Sequence, residues 1–323
     1  MRRKIFRVAL GILALLLVVM GIAFADFYSW RSAIIDEIES DPRHETANTE
    51  FGTIEYAIEG EGVPVLILHG SLGGYDAALL IGERLDSGKV IAVSRPGYLG
   101  TPLSSGASLE EQADLFAALL DELGIDRVVV YAVSAGGAYG MQFALRHPER
   151  TLGLVLSSTS VEPDEESAVP ELGNATLFLA DMYMWVSARF LPSLLGNSMS
   201  DGFDAADPVQ VAEAEKLARS LVPMGRRWAG NYNDGIQLSD PVMKNWPLEQ
   251  STVPTLIVHG DRDPLSSYEA ARILAGRLPD AELLTIDGAG HAIFTNEQST
   301  LISSAIASFI ERVMEDQSDK PGV

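Results

Sequence analysis

Residues 128–137 have the sequence VVVYAVSAGG, in which an almost entirely apolar run from Val128 to Val133 leads into Ser134 and three small residues. Such a run is typical of a strand buried on both faces, and helical periodicity begins at Ala138. Strand, serine, small residues and helix in this order form a nucleophile elbow, a sharp turn that exposes a reactive serine. A serine that only caps a helix is the alternative, and Ala132 stands where the G-x-S-x-G motif has its first glycine.

Strands and helices alternate on both sides of this elbow. Strand-like runs cover residues 53–59, 63–68, 90–93, 152–156, 253–258 and 283–286, and helical periodicity covers residues 109–123, 138–146, 267–278 and 300–314. Repeated alternation of this kind predicts an α/β fold with a mostly parallel, doubly wound sheet covered on both faces. We expect this domain to span residues 51–315, followed by a tail at residues 316–323.

One segment, residues 161–247, interrupts the alternation. It contains three of the four tryptophans, Trp185, Trp228 and Trp246, and no clear strand–helix unit. We predict a mainly helical insertion between two strands of the sheet. Its large apolar side chains could line an apolar, adaptable pocket or could simply pack the insertion onto the sheet.

A serine nucleophile needs a base within hydrogen-bond reach, and His291 is the best-placed histidine of five. It follows a Gly-rich loop after the last predicted strand. The other four histidines lie in a polar N-terminal segment, before a proline, or at strand ends before glycine. The strand at residues 253–258 is followed by Asp261 and Asp263, either of which could orient the histidine.

Backbone donors for a developing oxyanion are expected after the strand at residues 63–68. This strand ends in His69-Gly70-Ser71, and Gly73-Gly74 follow. Such a loop presents free N–H groups at the carboxyl edge of a sheet. The predicted donors are the N–H groups of Ser71 and of Ala135, although a plain turn would also explain the glycines.

The nucleophile, acid and base candidates occur in the chain order Ser, Asp, His, and from about Phe51 to Met314 the chain resembles the α/β-hydrolase superfamily. The matching positions are His69-Gly70, the elbow around Ser134, Gly260 with Asp263 three residues later, and Gly290-His291. The resemblance is greatest to the small-molecule esterase, haloperoxidase-like and C–C-bond-hydrolase branches.

This resemblance implies a Ser134–Asp263–His291 triad, with Asp263 preferred over Asp261, and a helical cap inserted after the sixth strand. A serine at position 134 argues against the epoxide hydrolase and haloalkane dehalogenase branches, which use an aspartate there. The stretch Ser94–Gly100 also resembles a family loop, with Ser94 where an aspartate usually stands.

The N-terminus carries information on location. Four cations at positions 2, 3, 4 and 7 precede an uncharged run at residues 8–25, nearly the ~20 residues that span a bilayer. We favour an uncleaved signal anchor that leaves the domain outside the cytoplasm, periplasmic or extracellular. Ala23-Phe24-Ala25 also fits a signal-peptidase site, and cleavage after Ala25 would give a secreted protein. Residues 26–50 are polar, and we expect a stalk.

Composition excludes several classes of function. A net charge of −22 argues against a nucleic-acid partner, because so acidic a surface repels phosphate. The absence of cysteine rules out disulfides and a thiol nucleophile. The sequence has no H-E-x-x-H motif, and we expect neither a metal nor a cofactor.

These observations predict a serine hydrolase that cleaves a small-molecule ester of an apolar acyl group. Membrane attachment would favour a lipase-type role. Hydrolysis of a C–C, lactone or peptide bond by the same triad is an alternative, as is a non-catalytic ligand-binding member of the fold.

Overall fold

The computed structural model describes residues 2–85, 88–159, 161–163, 169–200, 203–295 and 298–318. Its centre is one eight-stranded sheet with the order β1-β2-β4-β3-β5-β6-β7-β8. The strands are β1 (His44–Thr49), β2 (Gly52–Glu59), β3 (Pro64–Leu68), β4 (Lys89–Val93), β5 (Val128–Val133), β6 (Thr151–Ser157), β7 (Thr255–Gly260) and β8 (Ala281–Ile286).

All strand pairs from β4 to β8 are parallel, whereas β1 and β2 are antiparallel additions at one edge. The central strands β3, β5 and β6 are almost wholly buried, in agreement with their continuous apolar runs. The predicted α/β-hydrolase fold with a mostly parallel sheet is confirmed. The carboxyl ends of the parallel strands meet at one edge, where loops can bring distant residues together.

Helices cover both faces of the sheet. Two apolar cores result, one on each face. The first lies under α2 (Tyr75–Gly82) and α10 (Ser299–Ser318), and the second lies under α3 (Leu109–Glu122), α4 (Gly136–Arg146) and α9 (Tyr268–Arg277). Helix α2 was not predicted from the sequence, and α10 includes residues 316–318, which were expected in the tail. Residues 319–323 lie outside the described residues.

Between β6 and β7 the chain forms the cap. The cap helices are α5 (Asn174–Arg189), α6 (Ser193–Met199), α7 (Pro208–Ser220) and α8 (Trp228–Leu238), joined in part by short 3-10 turns. These helices correspond to the insertion expected at residues 161–247, of which residues 164–168 and 201–202 lie outside the described part of the chain. In the described part, α6 and α7 cover the carboxyl edge of the sheet.

The N-terminal helix α1 runs from Arg2 to Ser40. Part of it is long and apolar enough to cross a membrane, and no part of that stretch is buried in the protein. A helix with these properties fits a membrane anchor or a signal sequence. At 1.5 Å per residue, the 39 residues extend about 58 Å, so that the apolar half stands clear of the α/β domain.

The prediction of a polar stalk over residues 26–50 is wrong. Phe27, Trp30, Ile34 and Ile38 recur at helical spacing, and each is at least 93% buried. This stripe packs against the cap and α2, where the Tyr75 hydroxyl donates to the Ile38 carbonyl over 2.6 Å. The polar residues that suggested a stalk occupy mainly the outer face of the helix and the edge strand β1, where side chains remain partly in water.

Candidate active site

Ser134 lies on a strained turn between β5 and α4. Its φ angle is +52°, in the left-handed region that non-glycine residues seldom adopt. Two hydrogen bonds hold the turn: the Ser134 N–H donates to the Ser157 carbonyl over 3.0 Å, and the Gly137 N–H donates to the Ser134 carbonyl over 2.8 Å. A Cβ at Gly136 would come within 2.5 Å of the Leu68 carbonyl oxygen, so this position of the elbow requires glycine.

The alanine at the first motif position is accommodated by a second glycine one turn further along α4. A Cβ placed on Gly140 would lie 2.6 Å from the Cβ of Ala132. The methyl group of Ala132 therefore occupies the space that Gly140 leaves open. Because alanine replaces glycine at the strand position of G-x-S-x-G, glycine is needed at position 140 of the helix instead.

His291 reaches Ser134 from the loop after β8. Its Nε2 lies 2.9 Å from the Ser134 Oγ, a hydrogen-bond distance. The backbone of the loop is held on both sides, since the His291 N–H donates to the Met199 carbonyl at the end of α6 over 2.7 Å and its carbonyl accepts from the Ser158 hydroxyl over 2.7 Å. Neither of these contacts, from Met199 or from Ser158, was predicted from the sequence.

Asp263 completes the chain of contacts. Its Oδ2 lies 2.8 Å from Nδ1 of His291, and its Oδ1 accepts the N–H groups of Leu265 and Ser266 over 2.8 and 2.9 Å. Burial alone would raise the pKa of Asp263, but hydrogen bonds from His259 and His291 outweigh burial and hold the pKa well below its usual value. Asp263 is therefore a carboxylate at neutral pH, fixed with its second oxygen toward the histidine.

Asp261, the other carboxylate that the sequence offered, has a different position. Its Oδ1 accepts the Gly288 N–H over 2.6 Å, at the start of the loop that carries His291. Asp261 thus supports the loop from outside, while Asp263 contacts the imidazole.

The loop after β3 brings Ser71 to the cavity that Ser134 faces, and Ala135 lines the same cavity. His69 anchors this loop. Its Nε2 accepts the Arg95 N–H over 3.1 Å, so its Nδ1 carries the proton and donates to the Gly70 carbonyl over 2.7 Å. Burial, and then the charge of Arg95, lower the pKa of His69 well below its usual value.

Beneath the loop after β3 lies a buried polar cluster that was not predicted from the sequence. The Arg95 guanidinium donates to both oxygens of Asp234 on α8, over 2.8 and 2.7 Å, and its Nε donates to the His69 carbonyl over 3.0 Å. The hydroxyls of Tyr98 and Tyr139 also donate to Asp234. The cluster joins the cap to the backbone of the predicted oxyanion loop.

In the Ser94–Gly100 loop, where an aspartate usually stands in place of Ser94, the carboxylate comes from another strand. The Ser94 hydroxyl donates to Glu55 on β2 over 2.6 Å, and the Gly100 N–H donates to the same carboxylate over 2.9 Å. Glu55 thus binds both ends of the Ser94–Gly100 loop.

Ser134 and His291 face a cavity of about 610 Å³ between the sheet edge and the cap. This volume lies in the range of ligand pockets, about 300–1,000 Å³. Most of its wall is apolar and comes from α2, α6, α7 and the segment after His291, with the side chains of Ile81, Leu195, Met199, Leu217, Ile293 and Phe294. The three cap tryptophans are not among the lining residues: Trp185 packs on Phe27 of α1, and Trp246 lies in the core of the opposite face.

A family model described as the alpha/beta hydrolase fold matches residues 63–298. The chain belongs to the alpha/beta hydrolase family. A solved alpha/beta hydrolase fold protein from Nakamurella multipartita superposes on this hydrolase with a TM-score of 0.71 and 30% identity, covering 82% of this chain and 98% of that one. The strand order of the sheet, the family match and this structural similarity therefore all indicate the alpha/beta hydrolase fold.

Two curated relatives cover most of this hydrolase. An uncharacterized hydrolase, YcgS, from Bacillus subtilis (strain 168) is 29% identical over 290 residues, which are 83% of this chain and 99% of the relative. A pimeloyl-[acyl-carrier protein] methyl ester esterase from Aromatoleum aromaticum is 30% identical over 247 residues, 71% of this chain and 91% of the relative. This alpha/beta hydrolase thus has esterase-like relatives.

Within the described ranges, no group of three or more His, Asp or Glu side chains could hold a metal ion. Ser134, His291 and Asp263 supply a hydroxyl, an imidazole and a carboxylate at this site, and Ser71 and Ala135 line the same cavity.

Proposed function

We propose that this alpha/beta hydrolase cleaves carboxylic esters of an apolar acyl group, with Ser134 as nucleophile, His291 as general base and Asp263 as the residue that orients the base. One observation carries the proposal: an unbroken series of contacts, 2.9 Å from Ser134 to His291 and 2.8 Å from His291 to Asp263, ends at an apolar cavity. Two groups with such contacts activate a hydroxyl that is a weak nucleophile on its own.

In the first half-reaction the Ser134 Oγ attacks the ester carbonyl while His291 Nε2 takes the hydroxyl proton. Asp263 accepts a hydrogen bond from Nδ1–H of His291 and stabilises the imidazolium that forms. The N–H groups of Ser71 and Ala135 bind the oxyanion of the tetrahedral intermediate. The imidazolium then protonates the alkoxide as the C–O bond breaks, which leaves an acyl-Ser134 ester and a free alcohol.

In the second half-reaction a water molecule replaces the alcohol. His291 removes a proton from this water as its oxygen attacks the acyl carbonyl, and the same N–H groups hold the second oxyanion. Protonation of the Ser134 oxygen by His291 releases the carboxylic acid. The strained φ of Ser134 keeps its Oγ at the edge of the cavity throughout both halves of the cycle.

The wall of the cavity supports an apolar acyl group. Residues of α6, α7 and the segment after His291 surround the space in front of Ser134 with leucine, methionine and phenylalanine side chains. Burial of apolar surface contributes about 0.8 kcal/mol per methylene, so binding should improve as the acyl chain lengthens until the cavity is full.

We also propose that α1 is an uncleaved signal anchor, with the hydrolase domain outside the cytoplasm. The support is the exposed apolar half of α1 and the cations before it. Mass spectrometry of the mature protein tests this assignment. A chain that begins at Met1 is expected, whereas a chain that begins at Asp26 would show a secreted enzyme.

Labelling by a fluorophosphonate, together with hydrolysis of p-nitrophenyl esters of increasing chain length, tests the proposed reaction. We expect wild-type protein to be labelled and Ser134→Ala to lose label and about 10⁶-fold in kcat. Labelling without turnover would indicate a ligand-binding protein. Turnover of C–C, lactone or peptide substrates in place of the esters would keep the triad and replace the substrate class.

A further inference from the structure

The corner between the cap helices α5 and α6 is an exposed apolar surface. Phe190, Leu191 and Leu194 are 61%, 50% and 39% exposed, although large apolar side chains are usually buried. Tyr183 lies next to this corner, since its hydroxyl donates to the Leu194 carbonyl. We call Phe190, Leu191 and Leu194 the cap corner.

The packing of α5 on α1 fixes the position of the cap corner along α1. The Trp185 Nε1 donates to Asp26 over 2.9 Å, and Asp181 accepts from Arg31 over 2.7 Å. Because residue numbers rise along α1 as they fall along α5, the two helices are antiparallel. Phe190, five residues beyond Trp185, therefore lies roughly 7 Å closer to the N-terminus of α1 than Asp26 does, beside its apolar segment.

Aromatic rings connect the two apolar surfaces without a break. The ring of Phe24, on the exposed apolar part of α1, is 6.2 Å from Phe27, which is 5.8 Å from Trp185, which is 5.1 Å from Phe190. The cap corner is thus continuous with the apolar segment of α1.

Charge distinguishes the same region from the rest of the protein surface. The chain has 45 acidic residues, but the 19 residues from 182 to 200 contain none, and Arg189 is their one charged residue. The first 25 residues also lack acids and carry four cations. Anionic lipid headgroups would repel the acidic surface elsewhere and would not repel these two segments.

We propose that the cap corner inserts into the lipid bilayer beside α1, as a second membrane contact that fixes the orientation of the cap. This inference rests on the proposed membrane anchor. The corner leads directly into α6, whose Leu195 and Met199 line the cavity and whose Met199 carbonyl holds the His291 backbone. The bilayer contact therefore keeps the acyl-binding wall of the cavity next to the lipid phase and points to a substrate that resides in the membrane.

Depth-dependent quenching of a single label tests the contact, and the absence of native cysteine makes specific labelling possible. Full-length Leu191→Cys, labelled with an environment-sensitive fluorophore, would be reconstituted in phosphatidylcholine–phosphatidylglycerol vesicles that contain a lipid-borne quencher. Two reference positions complete the set: Leu16→Cys in the apolar half of α1, and Ile273→Cys, which is 44% exposed on the opposite face of the sheet.

We expect strong quenching at positions 191 and 16 and none at position 273. Quenching at position 16 without quenching at position 191 would overturn the cap contact and leave the anchor intact. No quenching at position 16 would overturn the anchor and, with it, this inference.

Kinetics supply a second readout in the full-length enzyme. Leu191→Ser with Leu194→Ser should raise the apparent KM for a long-chain ester dispersed in vesicles several-fold, while kcat and KM for soluble p-nitrophenyl butyrate stay unchanged. Ile273→Ser is the matched control and should change neither. An equal loss on both substrates would contradict a membrane role of the corner.

Discussion

Arg95 of the core and Asp234 of the cap form a bidentate ion pair in the protein interior, with both carboxylate oxygens within 2.8 Å of guanidinium nitrogens. The Arg95 side chain is fully buried and that of Asp234 is 3% exposed. Because Asp234 lies on α8 and Arg95 follows β4, the pair joins the cap to the strand edge beneath the site. Two tyrosine hydroxyls complete the coordination of the carboxylate, so neither of its oxygens is left unsatisfied.

Removal of one partner should therefore be costly. Asp234→Ala leaves the Arg95 charge buried, and we expect the free energy of unfolding to fall by about 3–5 kcal/mol. Urea unfolding followed by circular dichroism measures the change. Glu269→Ala breaks the exposed Arg272–Glu269 pair and should cost less than about 1 kcal/mol. Equal losses in the two variants would contradict a structural role of the buried pair.

The sequence predicted the fold from features that are local. Apolar runs identified β3, β5, β6 and β7, because a strand covered on both faces is apolar at most of its positions. The edge strand β1 has the sequence HETANT and no such run, since its side chains stay partly exposed, and it was missed. The apolar stripe from Phe27 to Ile38 has helical spacing, but three charged residues between its members, Arg31, Asp36 and Glu37, favoured the interpretation as a polar stalk.

The site residues that could be predicted are those that follow a predicted strand. Ser134, Asp263 and His291 each follow a strand, so the sheet brings them to one edge. The Arg95–Asp234 pair spans 139 residues and depends on how the cap docks, which no local pattern encodes. The same holds for Met199, whose backbone carbonyl contacts the histidine loop, because carbonyls leave no signature in the sequence.

The two candidate carboxylates can be separated by one substitution each. Asp263→Asn should lower kcat about 10⁴-fold, because an amide no longer fixes the tautomer of His291 or stabilises its charge. Asp261→Asn keeps the Nδ1 contact of His291 intact, so we expect less than about a tenfold effect. Steady-state hydrolysis of a p-nitrophenyl ester measures both. A larger loss in Asp261→Asn than in Asp263→Asn would transfer the orienting role to Asp261.

His69 should make the stability of the protein depend on pH. Its pKa is lowered well below the usual value of about 6.5 in the folded protein, so the unfolded chain binds more protons below that pH. The contribution of neutral His69 to the free energy of unfolding should be fully present above pH ~6.5. It should be lost as the pH decreases, with a slope that approaches about 1.4 kcal/mol per pH unit.

Urea unfolding at pH 7.5, 6.5 and 5.5 tests this dependence in wild type and in His69→Gln. The glutamine variant should be less stable at pH 7.5, because the Arg95 N–H loses its ring acceptor, but it should lose less stability on acidification than wild type. Parallel curves for the two proteins would mean that other groups take up the proton.

The close approach of Ala132 and Gly140 predicts a coupling between the elbow strand and its helix. Gly140→Ala places two Cβ atoms 2.6 Å apart, and we expect this overpacking to reduce the free energy of unfolding by about 1–3 kcal/mol. Ala132→Gly in the same chain removes the clash and restores the usual motif. The double variant should therefore recover most of the loss, and alanine in the helix should add up to about 1 kcal/mol of stability through its higher helix propensity. A double-mutant cycle on urea unfolding measures the interaction, and strictly additive changes would show that the strand and helix move apart to absorb the methyl group.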